Sequence, residues 1–259
     1  MPLFLSGLPL WIGAILLVVL PTVAAMCGPV VMRSRIGLAR LASNNEIAGF
    51  KFATVGVIYA VMLAFAVIVV WEKFSDAEAV VVQEAGAAAA MYQLSTGPES
   101  DAVALRAALD NYLKLAIDRE WPLMATAQES QDATRALDAL YAATLRLAVD
   151  ESRQQAVSFE MLKQLDEMTQ ARRARLHLAA GIVPGVVWMV LFCGAVLTVT
   201  FTFFFGGENL VAQVMMTGIL SVIVFMGLLV IVSIDHPFTG PVRVGSEPLQ
   251  AVVEDFGHR

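Results

Sequence analysis

Glu46 and Lys51 stand at the mouth of a long apolar stretch, and an ionisable side chain beside a membrane span is a functional candidate, because charge is costly there. Phe50, Ala53, Val57, Ala60 and Ala64 continue from Glu46 at alternating spacings of four and three. Those spacings lay all six residues along one face of a helix. Such a face could line a pore, with Glu46 setting charge preference and the apolar positions gating by dewetting. The plainer alternative is ordinary helix packing, with Glu46 as an interfacial residue that caps the helix or pairs with Lys51. Gly49 and Gly56 fall two turns apart and allow a neighbouring helix to come close. His236 beside Asp235 could titrate near neutral pH, or could simply end a helix, where a cation suits the exposed carbonyls.

Other chemistry has little to stand on. Three histidines and two cysteines, Cys27 and Cys193, lie far apart and have no metal-ligand spacing. The cysteines sit inside apolar runs and read as membrane-packed thiols. No Gly-rich phosphate loop and no Gly-x-Ser-x-Gly elbow occurs. We therefore expect no catalytic site, no metal and no cofactor. The net charge of -6 argues against a nucleic-acid partner.

The elements that must position these residues are membrane spans. The chain has 259 residues, is 58% hydrophobic and 15% charged, and its mean hydropathy is +0.71. A soluble domain usually carries about 25% charged residues. Residues 8–31 read as a first span, retained because no Lys or Arg precedes Arg33 to form a signal-peptide n-region. Pro9, Pro21 and Pro29 are tolerated near its ends or at a kink. A basic link, Arg33, Arg35 and Arg40, leads to Asn44-Asn45, read as a helix cap. The second span then runs without an ionised side chain after Lys51 to Trp71-Glu72, which at 1.5 Å per residue is about 30 Å, the hydrocarbon thickness of a bilayer.

Charge returns from Lys73 to about His177, and the pattern there is helical. Val80, Val81, Glu84 and Ala85 begin one run, and Ser95-Thr96-Gly97-Pro98 makes a turn. Leu105, Leu109, Tyr112 and Ala116 form a stripe that Trp121-Pro122 breaks. Leu137, Leu140, Tyr141, Thr144 and Ala148 form another, and Phe159, Leu162, Leu165 and Met168 a third. These stripes read as the core of a bundle. A third span is expected over Leu178–Phe205 and a fourth over Leu210–Ile234, closed by Asp235-His236-Pro237-Phe238. The expected fold is an all-α integral membrane protein with four transmembrane helices and a helical extramembrane domain inserted between the second and third. Its parts are a first helix pair (1–72), the insert (73–177), a second helix pair (178–236) and a polar C-terminal tail (237–259).

This order, with Asn45-Glu46-Ile47-Ala48-Gly49-Phe50, the run Gly56-Val57-Ile58-Tyr59-Ala60-Val61, Trp71-Glu72 and Asp235-His236-Pro237-Phe238, resembles the bestrophin-like domain family of bacterial membrane proteins. Nearly the whole chain is covered. The family is distantly similar to the bestrophin ion channels. The resemblance implies a multi-pass protein of the bacterial inner membrane, embedded in the lipid bilayer and passing a small inorganic ion. It implies a homo-oligomer, a pentamer, around one axial pore lined by the second span. Gly49-Phe50 matches a Gly-Phe pair of the bestrophin neck, which would place Phe50 in a ring. Glu46 stands where bestrophins carry an aromatic residue, and a ring of carboxylates favours cations. No acidic cluster follows Pro237-Phe238, so calcium gating of the bestrophin kind is not expected. The alternative reading is a non-conducting membrane sensor or scaffold that binds a partner through its insert.

Overall fold

The structure is a computed structural model of the single chain and describes residues 7–97, 100–148 and 155–257. Pro98 of the expected turn lies outside these residues, as does the side chain of Ala148. The described residues are helical, with no strand among them. Four of these helices are long and apolar enough to cross a membrane: α1 (Leu10–Ile36), α3 (Asn45–Leu94), α7 (Gly185–Phe201, extended by a 3-10 turn Thr202–Phe204) and α8 (Leu210–Ile234). Between α1 and α3 lies the short α2 (Leu38–Ala42). The extramembrane elements are α4 (Ser100–Leu115), α5 (Gln131–Ala148), α6 (Gln155–Ala179) and α9 (Glu247–Gly257). The chain divides into two compact units, Met1–Glu72 with Ile182–Asp235, and Lys73–Gly181 with His236–Arg259.

In the first unit α1 lies along α8. A Cβ on Gly218 would sit 3.1 Å from Met26 Sδ, and one on Gly13 would sit 3.4 Å from a methyl of Leu229. α1 contains a π-helical stretch, Ile15–Val19, and carries Pro29 in its interior. Gly37 stops it at φ 84°, a conformation that favours glycine. Asn44-Asn45 does not act as the expected cap. The amide of Asn44 donates weakly to Arg40 O (3.4 Å), and Asn45 reaches across to the 206–209 turn instead. Its Nδ2 donates to Gly206 O (2.7 Å) and its Oδ1 accepts from Gly206 N (2.8 Å). Gly206 has no room for a side chain, since a Cβ would come within 2.7 Å of the Leu41 carbonyl carbon.

The helix that carries the second span does not stop at Trp71-Glu72, where the first compact unit ends. α3 continues to Leu94, because residues 73–94 contain no proline and are rich in alanine, the best helix former. The third span starts later than Leu178. Gly181 adopts φ 93°, Pro184 is the N-cap, and Asp235 Oδ1 accepts from Ile182 N (3.2 Å) and Val183 N (2.8 Å). Those features end α6 at Ala179 and begin α7 at Gly185. The fourth span has the expected bounds, and Asn209 Oδ1 caps it by accepting from Ala212 N (3.1 Å).

The second unit has an apolar core that includes Ala88 and Met91 of α3, Leu105, Leu109, Tyr112 and Leu113 of α4, Leu137 and Leu140 of α5, Met161, Leu165 and Met168 of α6, and Leu249 of α9. Trp121-Pro122 does not break the helical run. A π turn (Ala116–Glu120) leads straight into Trp121–Met124, with Pro122 at the start of that piece. The third stripe is buried in its second half, at Leu165 and Met168, and not in its first. Phe159 is 71% exposed and Leu162 38%. The buried series on α6 is Ser158, Met161, Leu165, Met168, Arg172 and Arg175, one residue earlier at its start and ending in two arginines. The tail read as polar carries α9, whose Leu249 is fully buried and whose Phe256 stacks on Tyr92 at 3.9 Å.

Candidate functional site

The face of α3 that carries Glu46, Phe50, Ala53, Val57, Ala60 and Ala64 is exposed at all six positions. Phe50 is 80% exposed and Val57 64%. The other side of the helix is anchored within the same unit. Tyr59 is buried and its hydroxyl donates to Leu191 O of α7 (3.2 Å). The Tyr59 ring covers Gly194, where a Cβ would lie 2.6 Å from Cδ2. Phe52 meets Phe201 at 5.8 Å and Phe205 edge-on at 5.7 Å. Leu63 covers Gly227 of α8. Gly49 is half-buried, with a Phe205 ring carbon 4.0 Å from where its Cβ would be, whereas nothing lies within 4 Å of that point at Gly56.

The chain buries 11% of the most apolar window of α3, against 39% for α8. Large exposed side chains such as Ile58, Phe65 and Ile68 suit lipid. The six-residue face is different in kind, because three of its members are alanines and one is a carboxylate. Small side chains leave room for close approach of another helix or for water. Chemically, the arrangement can present a carboxylate, one aromatic ring and a short apolar lining along a single line.

His236 is buried and seated over Gly181, where a Cβ would lie 2.7 Å from Nε2. The following residues are structural. Phe238 packs edge-on against Trp121 at 5.7 Å, and Thr239 Oγ1 donates to Ala125 O (3.2 Å).

The second unit holds a buried charge network that the sequence reading did not assemble. Arg175 is fully buried. Its Nε donates to Glu84 Oε2 (2.7 Å), and its Nη2 donates to Glu84 Oε1 (3.0 Å) and Glu120 Oε2 (3.0 Å). Its guanidinium also lies 4.7 Å from the Trp121 ring centre. Arg172 forks onto Glu120 (Nε–Oε2 3.1 Å, Nη2–Oε1 2.6 Å) and donates to Thr134 Oγ1 (2.9 Å). The Tyr112 hydroxyl donates to Glu84 Oε1 (2.6 Å). Two arginines balance two carboxylates, as buried charge requires. The π turn turns Glu120 inward and leaves Arg119 exposed.

Burial opposes ionisation of Glu120, yet the hydrogen bond from Arg172 and the nearby Arg175 hold its carboxyl below the usual range. Burial pushes the Tyr112 phenol well up, and the Glu84 carboxylate adds to that. For Arg175, burial disfavours the charge, but Glu84 and Glu120 more than offset it and raise the pKa. The sequence signal for this network was an arginine pair in the seam of α6 and a glutamate in the stripe of Val81, Ala85 and Ala88.

The match to known proteins covers most of the chain. The family described as Bestrophin-like domain matches residues 18–249. No curated protein matches by sequence. A solved point variant of a bacterial bestrophin homologue from Klebsiella pneumoniae shares the fold with a TM-score of 0.72 at 14% identity, over 93% of this chain and 96% of that one. A second structure of that Klebsiella pneumoniae homologue gives 0.71 at 14% identity, over 92% and 94%, and another point variant gives 0.70 at 16%, over 94% and 95%. With its two spans, helical insert and two further spans in that order, the chain belongs to the Bestrophin-like domain family.

Proposed function

We propose that this protein is an ion channel, in which several copies, five by resemblance to the bestrophins, surround one axial conduit in the bacterial inner membrane. Glu46, Phe50, Ala53, Val57, Ala60 and Ala64 of each copy line that conduit, while Gly49 and Gly56 serve close helix approach. Glu46 forms a carboxylate ring at the mouth that favours cations, and Phe50 forms the narrow ring one turn further in. The observation that carries this reading is the exposure of all six residues, small or polar in the majority, on a span anchored from its other side. Bilayer lipid covers the remaining apolar surface.

The test begins with the mass of the purified protein in detergent. A monomer or dimer removes the axial conduit. For a larger assembly, planar-bilayer recordings compare wild type with Glu46→Gln. The proposal expects currents from both and a lower cation preference in the variant. The absence of currents in wild type would refute it.

A second reading, a membrane scaffold that binds a partner through its insert, draws on the apolar residues exposed on the second unit, Val82, Leu145 and Phe159. It expects the full-length protein to capture a protein that a Phe159→Ser variant does not, with no current in either.

A further inference from the structure

Every cationic side chain of the first unit lies at one end of its spans. Arg33 and Arg35 stand in the last turn of α1, Arg40 in α2, and Lys51 in the second turn of α3. The 206–209 turn between α7 and α8 is at the same end, because Arg33 Nη1 donates to Gly207 O (3.2 Å) and Glu208 O (3.3 Å) and Asn45 bonds to Gly206. The carboxylates there are Glu46 and Glu208, so cations outnumber them four to two. The opposite end of the unit has two carboxylates, Glu72 and Asp235, and no cationic side chain. Cations that close apolar spans lie at the level of lipid phosphates.

The bonding of this group is incomplete. The three lysines of the second unit each pair with a carboxylate about one turn away, Lys73 with Asp76, Lys114 with Asp110 and Lys163 with Glu160. Arg35, Arg40 and Lys51 are exposed, and their side chains make no hydrogen bond or ion pair with the described residues. Arg33 uses one nitrogen alone. A guanidinium grips an oxyanion with two parallel N–H groups. Arg172 and Arg175 present their Nε–Nη2 edges in this way to Glu120 and Glu84. At Arg33 that edge bonds to none of the described residues, while Nη1 fixes the group against two carbonyls.

Two turns along α1 from Arg33 begins a groove of about 320 Å³ between α1 and α8, lined by Thr22, Met26, Met215, Gly218, Ile219 and Ile223 among others. Met26 and Arg33 are seven residues apart in an α-helical stretch, so they share a face of α1 and stand about 10 Å apart along its axis. The other wall leads to Arg33 as well, since the Gly207 and Glu208 carbonyls that it holds shortly precede α8. A fixed cationic fork at the headgroup end of an apolar groove matches a phospholipid, phosphate at the fork and acyl chain in the groove. A soluble anion would use the fork alone, and a zwitterionic lipid would bring its ammonium among four cations.

We propose that Arg33 and the α1–α8 groove form a binding site for one anionic phospholipid, with its phosphate on the Nε–Nη2 edge of Arg33 and an acyl chain along Met26, Met215 and Ile219. Arg35 and Arg40 add to the positive field around the phosphate. The site does not depend on conduction.

The test is native mass spectrometry of the full-length protein released from detergent, after equilibration with dioleoylphosphatidylglycerol or dioleoylphosphatidylcholine. The proposal expects phosphatidylglycerol to be retained, and phosphatidylcholine roughly ten-fold less. Arg33→Gln lowers phosphatidylglycerol retention roughly ten-fold or more, because charge-assisted hydrogen bonds are lost with the fork. Arg33→Lys keeps the charge without the fork and recovers little of that loss. Met215→Trp changes an exposed position, leaves the Arg33 bonds intact and fills the groove, so it also lowers retention. It keeps the test decisive if Arg33→Gln does not fold. Equal retention of the two lipids in wild type would overturn the proposal. So would wild-type retention in Arg33→Lys, which would mean a diffuse charge effect, or in Met215→Trp, which would leave the groove without a role. Displacement of phosphatidylglycerol by excess sodium phosphate at constant ionic strength would assign the fork to a free anion, and would overturn it too.

Discussion

Replacing Arg175 by methionine tests the physical core of the second unit most sharply. Arg175 makes three hydrogen bonds to carboxylates, two to Glu84 and one to Glu120. Without it, Glu120 keeps both bonds from Arg172 and one from Ser130 N (3.3 Å). Glu84 is left with the Tyr112 hydroxyl alone among the bonds described here, at zero exposure. The variant thus strands one buried carboxylate rather than two. Breaking a buried pair from one side costs about 3–5 kcal/mol, roughly two to four orders of magnitude in the folding equilibrium. For a chain of this size that is on the order of 10 °C in apparent midpoint. The assay is thermal challenge of the full-length protein in detergent, read by Trp fluorescence and by proteolysis within residues 73–181. Adding Glu84→Gln to Arg175→Met removes the stranded charge and recovers much of the loss. The reasoning fails if Arg175→Met shifts the midpoint by less than about 2 °C, or if the double variant loses the sum of the two single losses.

The same network sets a pH dependence at both ends of the scale. Glu120 titrates below its ordinary value of 4.5, so its contribution is present above that pH and is lost as pH falls through the lowered value; acid therefore loosens the second unit, and Glu120→Gln flattens that acid limb. Tyr112 titrates above 10.0, so above that pH the unfolded chain loses a proton that the folded one keeps; stability falls with rising pH, and Tyr112→Phe removes that alkaline limb in a pH series of thermal midpoints. Gly194→Val drives a side chain into the Tyr59 ring and separates α3 from α7, so the yield of monodisperse protein in size-exclusion chromatography drops while Gly86→Ala, with open space around it, stays near wild type. Leu249→Ala opens a cavity where α9 docks and costs about 2–5 kcal/mol, read as faster proteolysis after residue 240.

Hydropathy made the spans legible, because twenty apolar residues carry a strong signal and α8 begins and ends where its composition changes. The start of the third span depended partly on distant atoms. Leu178 is apolar like the span that follows, and α7 begins where Gly181, Pro184 and the Asp235 carboxylate on the 182–183 backbone together reset the chain. The stripe on α4 was readable, since Leu105, Leu109, Tyr112 and Ala116 are all buried. On α6 Leu165 and Met168 are buried as the stripe suggested, but the large apolar Phe159 and Leu162 lie outside the seam, which is filled partly by Ser158, Arg172 and Arg175. Buried charge defeats hydropathy by nature, since its partners come from α3, the π turn and α6, which are far apart in sequence. The face from Glu46 to Ala64 was visible as a spacing, but a spacing does not say what covers it, and the single chain leaves it open.

The most direct measurement is an electron cryo-microscopy structure of the purified assembly in a lipid nanodisc. The account predicts copies arranged around an axis, with Glu46, Phe50, Ala53, Val57, Ala60 and Ala64 of every copy turned toward it and water between the carboxylates. A monomer, or an assembly in which those side chains face lipid or lie sealed against protein, would contradict it.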